Sequence, residues 1–133
     1  MRLSTGLRDV LADAIDTDVG ATGFARFYTA SGTTLLASAA CSNPAFGAAA
    51  TGVITLDVTP AVEDTTPAAA GTCIRLGFYS AATGAYATDV FMLGVATGGS
   101  PDVTMSNNVI ATTDTVQVAS LTITVPAGVP DDA

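Results

Sequence analysis

A chain of 133 residues with twelve acidic groups, four basic groups, a net charge of −8 and no histidine excludes several chemistries at once. All four cations are arginines and tryptophan is absent, which rules out imidazole bases, Schiff-base lysines and His-ligated metals. Nucleic-acid binding has no clustered basic face to work from, and an anionic membrane surface repels such a chain.

The length predicts one domain over residues 1–133, and the Leu, Ile, Val and Phe content is sufficient for it to fold alone around a single core. Ala, Thr and Gly fill much of the remainder, so side chains are short and sheets can approach closely.

The N-terminal segment, 1–20, is the only one with helical periodicity. After Ser4 or Thr5 as N-cap, Leu7, Val10, Leu11, Ala14 and Ile15 fall on one apolar stripe, which predicts a short amphipathic helix over 5–16 with Arg8, Asp9, Asp13 and Asp16 on its other, solvated side. Gly20 and Gly23 punctuate its exit.

From there the pattern is strand and turn, with strands predicted at 24–30, 34–41, 52–58, 72–80, 86–95, 103–106 and 115–125. The uncharged stretch 27–56 is interrupted by Ser31, Gly32, Asn43, Pro44 and Gly47, so it reads as strands and not as a membrane span. A loop around Gly84 predicts a hairpin between 72–80 and 86–95. In 115–125 the alternation of Val116, Val118, Leu121, Ile123 and Val125 slips phase at Ala119-Ser120, which predicts a bulge that turns the strand between two faces. Residues 59–71 read as an extended surface loop or arm, and 126–133 as a flexible tail. Many short strands between turn signals predict a β-sandwich.

Several groups could carry chemistry. Asp13, Asp16 and Asp18 ahead of Gly20 resemble a calcium loop only superficially, because the EF-hand spacing would place Ala21 and Phe27 where Gly and Glu are needed. Glu63-Asp64 and Asp131-Asp132 read as solvated charges. The glycines of Gly98-Gly99-Ser100 read as turns, lacking a phosphate-loop lysine. The tyrosines and phenylalanines could line a sugar platform, but core packing accounts for them better. Arg26 and Arg75 each lie in an aromatic strand, either paired with a surface aspartate or available to a partner's carboxylate. Cys41 and Cys73 fall in predicted strands as reduced, buried thiols, with one Cys41–Cys73 bridge as the alternative. The first residues contain no apolar run of a signal peptide, which predicts synthesis in a cytoplasm.

The opening Arg2-Leu3-Ser4-Thr5-Gly6-Leu7-Arg8-Asp9 is one of several motifs that belong together. The others are Phe27-Tyr28-Thr29, Gly32-Thr33-Thr34-Leu35-Leu36-Ala37, Pro44-Ala45-Phe46-Gly47, Gly71-Thr72-Cys73-Ile74-Arg75 and the closing Val118-Ala119-Ser120-Leu121-Thr122-Ile123-Thr124-Val125-Pro126. As a set they resemble short β-rich virion proteins of tailed bacteriophages, over most of the chain. The resemblance implies a non-enzymatic capsid cement or decoration protein, without a cofactor, on the capsid exterior. Its partners would be the major capsid protein lattice and further copies of itself in a dimer or trimer. A tail or fibre module that recognises a host-surface glycan or protein is the alternative. The expected fold is mainly β, an antiparallel, jelly-roll-like β-sandwich with one short N-terminal α-helix. Candidate partner-contact residues are Arg2, Leu3, Leu7, Arg8, Arg26 and Arg75.

Overall fold

The computed structural model describes residues 1–29, 34–81, 83, 89–98, 103–104 and 107–128. It is mainly β, with one N-terminal helix, α1 (Thr5–Val19). The strands that form the main sheet are β1 (Phe24–Tyr28), β2 (Leu35–Ala40), β6 (Arg75–Tyr79), β7 (Phe91–Ala96) and β8 (Val103–Thr104), in the order β2-β1-β6-β7-β8. Among the described residues three two-stranded ribbons accompany it. β4 (Val62–Asp64) pairs with β10 (Val116–Val118), β3 (Val53–Thr55) with β11 (Thr122–Thr124), and β5 (Gly71–Thr72) with β9 (Val109–Ile110). Among the described residues every ladder is antiparallel except β7 with β8.

Period-2 alternation gives the main sheet two different faces. Ala25 and Phe27 of β1 align with Ala37 and Ala39 of β2 and with Leu76 and Phe78 of β6, and all six are buried. Alanines on two neighbouring strands leave room for large rings elsewhere. Phe78 stacks on Phe91 at 4.7 Å between centroids, and Phe46 meets Phe78 obliquely at 5.7 Å. Ile54, Leu56, Val62, Val116 and Val118 from the ribbon segments join the same buried cluster. The opposite face carries Arg26, Tyr28, Gly77 and Tyr79.

Several boundaries differ from the sequence reading for local reasons. The helix runs on to Val19 because Val19, two turns beyond Ala12 on the same side, is buried, and Gly20, at φ +72°, ends it by donating its N–H to the Asp16 carbonyl. Residues 59–71 are not a free arm. They contain β4, bury Val62, and donate the N–H groups of Ala68 and Ala69 to the Leu36 carbonyl. The region 72–80 divides at Cys73-Ile74, leaving β5 in a ribbon and β6 in the main sheet.

In 115–125 the break falls at the predicted phase slip, but it is larger than a bulge. β10 and β11 leave for different partners, β4 and β3. The ribbon strand β9 lies between the predicted strands 103–106 and 115–125, where the sequence predicts none. β6 and β7 are adjacent and antiparallel, as the predicted hairpin requires. Its Gly84 loop, together with Gly99-Ser100 and Asp131-Asp132, lies outside the described residues. The start of the tail is held, since Leu3 donates its N–H to the Ala127 carbonyl at 2.7 Å and Arg2 bridges to Gly128. Among the described residues, no helix is long and apolar enough to cross a membrane.

Candidate interaction surface

The N-terminal helix sits on the body with its two stripes reversed from the simplest amphipathic expectation. Ser4, in extended conformation, caps it by accepting the Leu7 N–H at 3.2 Å. Asp9, Asp13 and Asp16 follow at helical spacing and turn inward onto the segment 46–52. That segment, rich in Gly and Ala, has backbone N–H groups that no ladder satisfies and few side chains with which to satisfy them. The carboxylates fill the gap. Asp16 Oδ1 accepts Phe46 N–H at 2.9 Å, Asp13 Oδ1 accepts Ala49 N–H at 2.8 Å, and Asp9 Oδ1 accepts Gly52 N–H at 2.6 Å. These aspartates are therefore structural acceptors, not the solvated helix face expected from sequence.

Arg8 closes the same joint from the other side. Its Nε donates to the Val125 carbonyl at 2.8 Å, while Val125 N–H donates to the Gly52 carbonyl at 2.8 Å. Gly52 is required there. Its φ is +79°, and a Cβ would lie 2.8 Å from Arg8 Nε and 2.9 Å from the Val125 oxygen.

The outcome is a helix on which the predicted apolar stripe points away from the body except at Ile15, which packs against the core. Leu7 is 46 % exposed, Val10 66 % and Leu11 42 %, and Ala14 is exposed beside them. Ala12 and Val19, on the other side, are fully buried. At the N-terminal end, Arg2, Leu3, Ser4, Thr5, Arg8 and Ala127 line an open groove of about 380 Å³.

The six expected contact residues are thus divided. Arg2, Leu3, Leu7 and Arg8 are brought together at the helix, and Arg75 is exposed on β6. Arg26 is not available to a partner. It is 4 % exposed, with its guanidinium carbon 4.2 Å from the Tyr79 ring centroid and 5.5 Å from that of Tyr28. Sequence reasoning missed Val10 and Leu11 as surface residues. The signal that would have found them is the second stripe, three aspartates at the same helical spacing.

The other expected sites dissolve into structure. Asp64 is not a solvated charge, since its carboxylate accepts Ser38 N–H and Thr66 N–H, each at 2.9 Å, tying β4 to β2. Tyr28, Tyr79, Phe27, Phe46 and Phe78 are buried and form no exposed sugar platform.

Cys41 and Cys73 are separate free thiols, so the bridge alternative is not realised. Burial pushes both up from 9.0 to about 11, against smaller opposing backbone hydrogen bonds. The native state therefore holds these protons more tightly than the unfolded chain. The associated stability is complete below about pH 9 and is lost as the pH rises through about 11. Melting temperatures should fall more steeply between those values in the native sequence than in a Cys41→Ala/Cys73→Ala variant, and equal slopes would refute the assignment. Cys41, just past the end of β2, is half-buried where a buried strand thiol was expected, whereas Cys73 is fully buried, so at neutral pH Cys73 should react with a disulfide reagent only once the chain unfolds and Cys41 should react slowly in the folded chain.

Comparison with protein-family models, with curated proteins and with solved structures returns no match.

Proposed function

We propose that the protein is a non-enzymatic structural protein of a tailed-phage virion, a cement or decoration protein that binds the outer capsid lattice and stabilises the head. The observation that carries the reading is the arrangement of the ribbons. Each of the pairs β4/β10, β3/β11 and β5/β9 is two-stranded; residues 46–50 cover the second edge of β3, but among the described residues β9, β10 and β11 each pair in a ladder on one side only, and such outer edges can accept a strand from a neighbouring subunit. A protein that laps over a lattice needs such edges on a rigid body, with many weak contacts adding through avidity.

We also read the fold more finely as a jelly-roll-like antiparallel β-sandwich. The shared burial of ribbon residues Ile54, Val62, Val116 and Val118 with the main-sheet core supports this. The expected building unit is a closed dimer or trimer. Net charge −8 suits an exterior position, away from packaged DNA.

The test is co-sedimentation of the protein with undecorated phage shells, scored by saturation stoichiometry and by shell rupture temperature. Stoichiometric binding that raises the rupture temperature is expected. Val109→Asp and Arg75→Glu, at exposed positions on β9 and β6, should weaken binding about tenfold, the scale of a single lost contact of ~1.4 kcal/mol. Absence of binding at micromolar concentrations would overturn the reading in favour of a tail module and direct the protein to host-cell and glycan binding.

A further inference from the structure

We propose that the outward face of α1 is a self-association surface, and that its occupant is the same face of a second copy, packed helix against antiparallel helix about a two-fold axis. This deepens the proposed building unit by choosing a dimer and naming its surface, and it rests on that part of the reading alone, because the contact needs only this chain and no shell.

Leu7, Val10, Leu11 and Ala14 form a continuous apolar stripe, exposed on a helix that Asp9, Asp13, Asp16 and Arg8 hold in place. A stripe of this kind on a helix held so firmly has already lost its freedom before it meets a partner.

Shape and charge both select a second copy. The centre of the stripe lies between Val10 and Leu11, so an antiparallel partner sets the large Leu7 against the small Ala14 of the second copy, and Val10 against its Leu11. The two ends carry opposite charge. Arg2 is exposed at the N-terminal end beside Arg8, and Asp18 is exposed in the last turn. Antiparallel docking brings the Arg2 end of each copy to the Asp18 end of the other, twice by symmetry, and opposes the helix dipoles favourably. A parallel arrangement would instead place like charges together.

Two turns of helix form a smaller patch than a standard interface, so the dimer should be weak, with a Kd on the order of 10–100 μM. Sedimentation of the full chain in about 0.15 M salt, where net repulsion between acidic bodies is confined to roughly 8 Å, should show the 13.1 kDa species giving way to one of twice that mass as concentration rises.

The doubly substituted Val10→Asp/Leu11→Asp chain, changed only at exposed positions, should stay folded, melting a few degrees below the native chain because Asp is a poorer helix former, and remain monomeric. Arg2→Glu and Asp18→Arg should each weaken association about threefold to tenfold, since each disturbs two exposed pairs. The double variant, or an equimolar mixture of the two singles, should restore it. A chain that stays monomeric at about tenfold above that Kd range, a trimer, dimerisation unaffected by Val10→Asp/Leu11→Asp, or failure of the charge swap to restore association would overturn the proposal. No shell is present in the measurement, so its failure is distinct from failure of capsid binding.

Discussion

Replacing Asp9, Asp13 and Asp16 together by Ala is expected to lower stability by about 3–4 kcal/mol, a large part of what a domain of this size possesses. Hydrogen bonds to a charged acceptor contribute roughly 1.5–3 kcal/mol each where they are shielded. Those of Asp9 and Asp16 are part-buried and that of Asp13 is exposed, so Asp13 should contribute least. An opposing effect is real but smaller, because Ala is a better helix former than Asp by about 0.5 kcal/mol per site. The control lies on the same helix. Asp18→Ala, exposed and outside the joint, should be neutral or slightly stabilising at concentrations where the chain is monomeric. Urea unfolding decides the matter by its midpoint at constant slope. A triple variant within about 1 kcal/mol of the native chain would show that the carboxylates do not hold the helix. Gly52→Ala attacks the same joint from the turn that precedes β3 and should cost about 2 kcal/mol through the left-handed backbone alone.

The core consequence of that joint runs through Phe46. The N–H that Asp16 fixes belongs to the residue whose ring packs on Phe78 and Phe91. Loss of the clamp therefore loosens the main sheet's aromatic contact as well as the helix.

The same helix shows what sequence could and could not disclose. Periodicity located α1 and narrowed its cap to Ser4 or Thr5, of which Ser4 is the cap, and propensity located the long strands, because both are encoded within a few residues. Orientation is not. Two stripes of equal period run along α1, and the choice between them depends on the unsatisfied N–H groups of 46–52, more than 25 residues away in the chain. A hydrophobic stripe is normally the buried one, and here backbone hydrogen-bond demand outweighed it. The division of 115–125 is a similar case. The phase slip at Ala119-Ser120 was visible, but the identity of the partners, β4 and β3, is a long-range fact that short strands do not carry. Among the contact candidates, the N-terminal residues came together because they are neighbours in sequence. Arg26 resembled Arg75 in its local pattern, and only tertiary burial separates them.

Arg26→Ala is the other substitution expected to cost about 3–4 kcal/mol, and the reason is the environment of a cation that a chain with four arginines places inside. The guanidinium lies against the Tyr79 ring at 4.2 Å and near Tyr28 at 5.5 Å. A desolvated cation–π contact contributes about 2 kcal/mol or more, and truncation adds a cavity. The register makes room for it. Gly77 is the residue opposite Arg26 on β6, where a Cβ would fall 2.6 Å from the Tyr79 ring and 2.8 Å from the Met92 methyl group. Two further variants separate the contributions. Arg26→Met retains most of the volume and loses the charge, so it should recover the cavity part and remain about 2 kcal/mol below the native chain. Arg26→Lys retains the charge without the planar stack and should fall between Met and Arg. The phenol of Tyr79 reports independently. Burial already holds its pKa above the ordinary tyrosine value, with Tyr28 adding to the shift and Arg26 opposing it, so removing the cation should raise it further in an ultraviolet titration. An Arg26→Met chain as stable as the native one, with unaltered Tyr79 ionisation, would reduce the arginine to a space-filling role.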